Sequence, residues 1–587
     1  MPELGILGNH VLLDLDSSGN LTWPNVTPQR LCWGVGADDR WHFSEERASI
    51  RQSVDSNEIT TITRMRVPGG DITQRVEPGG DITQRVEVIP WGGQSVTKLE
   101  FYNETPIPVA ISIMLLNFGP VEVNSTIIRN DAKPIIASSK APRMIINGSG
   151  YQDITNQIMN AEIEALTTSA SSVNESSSDN ALIFPLPHST KLEIIVNNEN
   201  LDNLPDIERL PSFTDVSNGW LKHFESGMEI QTDDNRLASV LNTARRHLLI
   251  GSDQEITSRF WDVDSDKPVL PLAALALMAW GFTDSAKKLI FKYMENSPTN
   301  LFKNSVSKET LYALCLWQKY LEFCSQEEEL EDIIPWLNET VHQLLASLPS
   351  KRRLKKRDIT LEIVSLRAVI EILIFVQQKS LASELQSRLV DIEEVTERKE
   401  TPYPFGKYTD SYQIAIATLG EYLQIQENSL TLDHILSKAD QTGSLITDSR
   451  QQDPVFSALF LLAIRAGFLQ ESKLSSGEKQ IQIASSYNPD WIGVGIQVKN
   501  APISSGIMGY AIRWHGTSPA LLWEANTSTR IQINAWSLDK SWFSNDQIGE
   551  TLLSKQIPRE TAVTIHADAS PVKRRIEPDS SDSATFQ

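Results

Sequence analysis

The 587-residue chain has only three cysteines, Cys32, Cys315 and Cys324. They are too scattered for a disulfide framework and lack the Cys-x-x-Cys spacing of a metal site. No apolar run approaches the roughly 20 residues needed to span a bilayer, so no membrane partner is expected. Positive charge is also short: 53 Lys and Arg against 75 Asp and Glu leave a formal net charge of −22. A nucleic-acid partner calls for a basic footprint, and this balance argues against one. The opening "MPELGILGNHVLLDLD" has no basic stretch leading into a continuous apolar core, and no G-x-S-x-G, P-loop or dinucleotide fingerprint stands out. Sequons at Asn103 and Asn147 then read as chance surface loops. The expectation is a cytoplasmic protein with no cofactor and no bound metal.

What is present comes in three blocks. Up to about residue 215, "HVLLDLD", "ITTITRMRV", "SVTKLEFYN", "PVAISIMLL" and "KLEIIVNN" alternate or concentrate β-branched apolar residues between turn residues. Residues 1–215 are therefore expected to form an antiparallel β-sandwich. Inside it, "PGGDITQRVE" occurs at 68–77 and again at 78–87. Ten is an even number, so prolonging a strand by one copy keeps the same side chains facing the core. The repeat extends or loops out one hairpin, and no function attaches to it. The Ser-rich 167–181 reads as a flexible excursion.

From about 234 the apolar period becomes helical. Segments such as "NRLASVLNTARRHLLIG", "PLAALALMAWG", "SKETLYALCLWQKYLEFC", "ITLEIVSLRAVIEILIFVQQ" and "DPVFSALFLLAIRAGFL" carry stripes at i, i+3, i+4. Some are apolar almost all round, as inner helices of a double-layered barrel would be, and others are one-sided, like outer ones. Residues 230–475 are expected to be a toroid of about ten helices in antiparallel hairpins. Strand patterns return in 478–566, and 567–587 is polar and aperiodic, a disordered tail.

The stretch "RFWDVDSDKPVLPLAALALMAWG" (259–281) sets three aspartates at alternate positions before an apolar helix. A calcium loop would need Gly at its sixth position and Glu at its twelfth, and these are Lys267 and Ala273. As a helix entry, Asp266 ahead of Pro268 is placed to cap and to favour the positive end of the helix dipole.

"LGILGNHVLLDLDSSGNLTW" and "WDVDSDKPVLPLAALALMAWGFTDSAKKL", together with the order sandwich then helical hairpins, resemble the glucoamylase-type six-hairpin (α/α toroid) glycoside hydrolases. That resemblance implies an oligosaccharide or glucoside at the toroid mouth, with Trp261 as a stacking surface and Asp262 and Asp266 gripping sugar hydroxyls. It also implies two carboxyl groups acting as acid and base with inversion, roughly 6.5–9.5 Å apart.

The family's base lies in a late loop, here "DQTGSLITDSRQQDP", where Asp448 is the candidate. Asp453 before Pro454 reads instead as a helix N-cap. The family's Trp-Glu acid is replaced by "LPSKRRLKKRDITLEIV", leaving Asp358 and Glu362, of which Glu362 stands as the acid candidate and otherwise as a first-turn helix residue. The family's arginine before the gripping aspartate is Ser265 here. Trp514, His515, Trp523 and Glu524 in "RWHGTSPALLWE" read as core tryptophans with a turn histidine that lacks metal-ligand neighbours. Two functions follow: a glucoside-hydrolysing or glucoside-binding protein, or a non-catalytic relative that keeps the scaffold for sugar binding or assembly.

Overall fold

A computed structural model describes residues 2–24, 28–37, 40–46, 50–54, 59–67, 80–160, 178–199, 201–232, 234–255, 258–261, 269–295, 306–324, 332–347, 360–393, 435–447, 451–473, 478–485, 493–504 and 506–556. The chain is β at both ends and helical in between. Two eight-stranded antiparallel sheets open it. One runs Glu3–Leu4, Leu13–Leu15, Leu21–Trp23, Gln29–Ala37, Val109–Leu116, Asp179–Leu186, Met144–Gly148, with Arg40–Phe43 beside Gln29–Ala37. The other runs Glu122–Asn124, Ile127–Asn130, Lys133–Ser138, Lys191–Asn197, Gln94–Asn103, Asp81–Trp91, Thr61–Arg66, Ile50–Val54. Alternation sends Trp33, Ile111 and Ile113 of the first sheet against Val86, Leu99 and Phe101 of the second, closing one apolar core between them.

The outer face of the second sheet is polar where it matters. Glu87 sits opposite Lys98 across the strands, and both are buried. Helix α1 (Tyr151–Asn160) caps the first sheet, while α2 (Phe213–Phe224) starts on a capping box between Ser212 and Asp215 and lies toward the second. Neither helix was read from the sequence. Thr60 Oγ1 meets Ser217 Oγ of α2 at 3.3 Å, and the Lys98 ammonium lies 5.5 Å from the Phe213 ring.

Eight further helices follow among the described residues: α3 (Asn235–Asp253), α4 (Val269–Ala279), α5 (Thr283–Glu295), α6 (Lys308–Cys324), α7 (Ile334–Ser347), α8 (Thr360–Phe375), α9 (Lys379–Glu393) and α10 (Pro454–Phe468). Each matches a segment whose apolar period is helical. The segment "DSYQIAIATLGEYLQI" lies outside the described residues. The helices alternate in role. α10 packs on α4, α4 on α6 and α6 on α8, an arc, while α3 packs on α10, α5 on α4 and α6, and α9 on α8. Composition explains the sorting: α4 is buried along almost its whole length, as only an all-apolar sequence permits, whereas α5 buries one stripe.

The C-terminal strands form a five-stranded sheet (Glu229–Gln231, Ile496–Ile503, Gly506–His515, Ser518–Thr527, Ile548–Leu552) and a four-stranded one (Leu469–Lys473, Lys479–Ile483, Ile531–Ala535, Asp539–Ser544). Their inner residues, Met508, Tyr510, Leu521, Trp523, Ile481 and Ile533, belong to the same core as the helices. Arg465 of α10 fastens this junction. It is 4% exposed and donates to the carbonyls of Ala279 (3.2 Å), Leu469 and Pro502 (2.6 Å) and to Glu471 (3.2 Å). Trp514 packs partly buried with its indole N–H on Val494 O at 3.0 Å, while Arg513 and His515 are exposed, as alternation requires.

None of the three cysteines forms a disulfide; Cys32 and Cys315 are buried and Cys324 is half-buried. Burial pushes the Cys32 thiol up to about 12 and the Cys315 thiol up to about 11. Since the thiolate is the reactive form, native protein should release at most one thiol quickly to Ellman's reagent and all three after denaturation. Rapid labelling of two or more would contradict this packing.

The sandwich and the helices meet at a buried ion pair. Arg246 of α3 grips Glu87 with both guanidinium arms, 3.1 and 2.5 Å, the side chains being 7% and 1% exposed. Removing one partner leaves the other buried and uncompensated, at a cost of about 3–5 kcal/mol, whereas removing both costs far less. We expect Glu87→Gln and Arg246→Met each to lower the urea midpoint by that equivalent, and Glu87→Leu with Arg246→Met to recover most of the loss. Single variants within about 1 kcal/mol of the parent would show that the pair is not what closes the junction.

Candidate functional site

Helix α3 carries "Arg245-Arg246-His247" in the middle of an apolar segment, and all three side chains are buried. Successive helical residues point about 100° apart, so the three reach different neighbours. Arg245 donates to Met228 O (3.3 Å) and Asn242 Oδ1 (2.6 Å) and lies over the Phe224 ring at 4.3 Å. Burial pushes its guanidinium down to about 9, with Glu229 opposing. Arg246 faces the sandwich. His247 lies between Glu3 at the first strand and Ser457 in the first turns of α10: Nε2 is 3.1 Å from Glu3 Oε2 and Nδ1 is 2.9 Å from Ser457 Oγ. A carboxylate only accepts, so Nε2–H donates to Glu3, while Nδ1 and the Ser457 hydroxyl share a hydrogen bond.

Glu3 is shared further. Its other oxygen lies 3.7 Å from Arg259, which makes a two-pronged pair with Asp14 at 2.6 and 2.7 Å. A polar chain thus runs Ser457–His247–Glu3–Arg259–Asp14 through the junction. Beside it is a cavity of about 20 Å³, whose polar lining is Glu3, Thr61, Thr243, Arg246, His247 and the loop residues Thr442, Ser444 and Gln452. That volume admits a water and excludes a pyranose. The chain of charges organises the junction.

Described residues next to both segments singled out in the sequence adjoin this place. The Phe260 ring lies 4.6 Å from the His247 ring, tilted against it, and 4.6 Å from Trp261, edge to face. Trp261 is 5% exposed, and its indole N–H donates to Gly251 O at 3.1 Å, so protein lies against its ring. Asp262 and Asp266 lie outside the described residues. On the other side, the loop before α10 is a tight hairpin. Asp440 Oδ1 accepts from Thr442 N, Thr442 Oγ1 and Ser444 N, and Thr447 N donates to Gln451 O at 2.9 Å. Asp448 falls between these last two residues, outside the described ones. Asp453 is the N-cap of α10, accepting from Val455 N at 2.7 Å with Pro454 at the first helical position, as its sequence indicates. Glu362 is in the first turn of α8, partly exposed, and no residue of α8 lines the cavity; Asp358 lies outside the described residues.

Sequence reading passed over Glu3, Glu87, Arg246, His247 and Ser457. A signal was there. Three consecutive cationic or polar residues inside "LNTARRHLLIG" cannot all face solvent on a helix whose neighbours at every angle are apolar.

No family model matches the chain, and no curated protein does. Solved structures align loosely. An α-L-rhamnosidase from Dictyoglumus thermophilum aligns at 8% identity over 91% of this chain and 72% of its own, with a TM-score of 0.40. A Streptomyces avermitilis α-L-rhamnosidase complexed with L-rhamnose aligns at 9% over 80% and 53%, with 0.35, so this chain spans about half its length. A family 92 glycosyl hydrolase aligns at 7% over 95% of each chain, with 0.34.

The packing of Phe260 makes a testable constraint. A Cβ on Gly251 would fall well inside contact with the Phe260 ring, which is held between His247 and Trp261. Alanine gains about 1 kcal/mol of helix propensity over glycine, and overpacking typically costs about 1–3 kcal/mol. We expect Gly251→Ala to be destabilising on balance in urea titration. A stabilised variant would mean that residues 258–261 yield freely.

Proposed function

We propose that the chain recognises glycosides at one end of its helical arc, on a scaffold of the glucoamylase-type six-hairpin class. In this reading α4, α6, α8 and α10 are inner helices of an α/α toroid. The observation that carries it is convergence. Arg259 and Phe260, just before the "WDVDSD" segment, and Gln452, just after the Asp448 loop, all touch the Glu3–His247 pair. In this reading the two segments lie together at one end of the arc and hold a sugar outside the water-sized cavity.

In the hydrolytic form of the proposal, Asp448 deprotonates a water and Glu362 or another carboxyl protonates the leaving oxygen, inverting the anomeric centre. Asp262 and Asp266 accept sugar hydroxyls, with Trp261 enclosed by protein rather than stacked on the sugar. Two observations favour the second form, a non-catalytic glycoside-binding protein. Trp261 is enclosed by protein, and α8 contributes no wall to the cavity.

Titration calorimetry and reducing-end assays with maltooligosaccharides and L-rhamnosides separate these. Binding that Asp266→Ala weakens at least about tenfold, with turnover abolished by Asp448→Asn, supports the hydrolase. The same binding without turnover supports the non-catalytic form. No binding of any member of the panel, or binding indifferent to Asp266→Ala and Asp448→Asn, removes the proposal.

A further inference from the structure

We propose that the outward face of the four-stranded C-terminal sheet is a binding surface for a neutral glycan chain, separate from the helical arc and independent of whether that arc binds sugar. The register defines the face. Ile481, Ile483, Ile531, Ile533 and Ala535 point into the shared core, so their alternates point away from it. One row across the strands reads Gln470, Gln482, Asn534, Phe543; its neighbour reads Ser472, Gln480, Gln532. Adjacent strands are about 4.8 Å apart, so the four-residue row spans about 14 Å, the length of a short run of pyranose rings.

The chemistry of this face is unusual for this protein. In a chain of net charge −22, both rows are uncharged and consist mostly of side-chain amides. The second row is a hydrogen-bonded ladder: Ser472 Oγ donates to Gln480 Oε1 at 3.3 Å, and Gln480 Nε2 donates to Gln532 Oε1 at 2.9 Å. Asn534 in the first row is wholly buried, and neither its amide nitrogen nor its amide oxygen has a hydrogen-bond partner among the described residues. A buried amide with both ends unsatisfied is costly and calls for an explanation.

Large apolar rings flank it at the surface. Phe543, its cross-strand neighbour, is 59% exposed, and Trp536, two residues on, is 44% exposed. Exposed aromatic rings beside paired donor and acceptor amides suit the two sides of a pyranose: its C–H face stacks, and its hydroxyls both donate and accept. A charged ligand would find no counter-charge in these rows. The occupant to which the face commits is therefore an uncharged polysaccharide.

Native affinity electrophoresis of the full chain in gels containing amylopectin, galactomannan or arabinoxylan tests this, with polygalacturonate as the anionic comparison. The expected result is retardation by at least one neutral polymer and none by polygalacturonate. Trp536→Ala and Phe543→Ala, both at exposed positions, should weaken it at least about tenfold. Asn534→Ala should weaken it without lowering the urea midpoint, because the amide it removes has no hydrogen-bond partner among the described residues. Asp448→Asn should leave it unchanged. Retardation by polygalacturonate alone, by no polymer, or undiminished in both aromatic variants overturns the proposal. So does retardation lost with Asp448→Asn, which would place the polymer at the helical arc instead.

Discussion

The arrangement of this molecule depends on what α3 does with three adjacent polar side chains. An isolated surface helix hides one stripe and shows the rest. α3 buries Arg245, Arg246 and His247 together, which a helix can do only where it is covered over more than half of its circumference. Arg246 is committed to the sandwich through Glu87, His247 to the first strand and α10 through Glu3 and Ser457, and Arg245 to the connection before α3 through the Met228 carbonyl. Apolar contact alone would let the blocks slide, since burial is indifferent to small shifts of direction. A two-pronged guanidinium pair and an imidazole held at both nitrogens are not. They fix how sandwich and helices face one another, and with it which loops meet at their shared end.

The two β regions attach to the helices in different ways. The N-terminal sandwich has its own closed core and meets the helices along a face carrying Thr60, Glu87 and Lys98. The C-terminal sheets have no core apart from the helices: Tyr510, Leu521 and Ile533 share one with α4 and α10. Strand Glu229–Gln231, which precedes α3, completes the five-stranded sheet by pairing with Ile496–Ile503. The helices are thus enclosed in chain order by a β segment from each side. The C-terminal sheets belong to the stability of the helical block, and only their outward faces are free for another use.

Much of this was legible. Alternation marked the strands of both β regions, and a 3.6-residue period marked α3 to α10, because each follows from one-sided burial of a regular element. Asp453 with Pro454 announced the start of α10, since capping is a local interaction between neighbours in sequence. What was not legible is long-range. The partners of Glu3 and Glu87 lie 244 and 159 positions away along the chain, and no local pattern reports such pairings. α2 was missed because its short amphipathic stripe follows directly on strand-rich sequence. Trp261 could be singled out as an aromatic beside acidic residues, but whether a tryptophan faces solvent or packs on Phe260 depends on folding, not on neighbours. The enclosure of Trp261 is the place where resemblance and geometry pull apart.

The duplicated decapeptide shows how the junction constrains the sandwich. Both copies end in Val-Glu, so both Glu77 and Glu87 could in principle answer Arg246. Parity does not choose between them, because a ten-residue shift preserves which side chains face each way. The hairpin does. Gly92 and Gly93, both with positive φ, turn the chain so that Trp91 pairs with Gln94, a conformation that side-chain-bearing residues resist. Counting back from that turn sets Val86 against Leu99 on the core face and Glu87 against Lys98 on the helix face. The turn, fixed locally by two glycines, therefore decides which glutamate reaches α3. The second copy meets Arg246 because it is the one that runs straight into the hairpin.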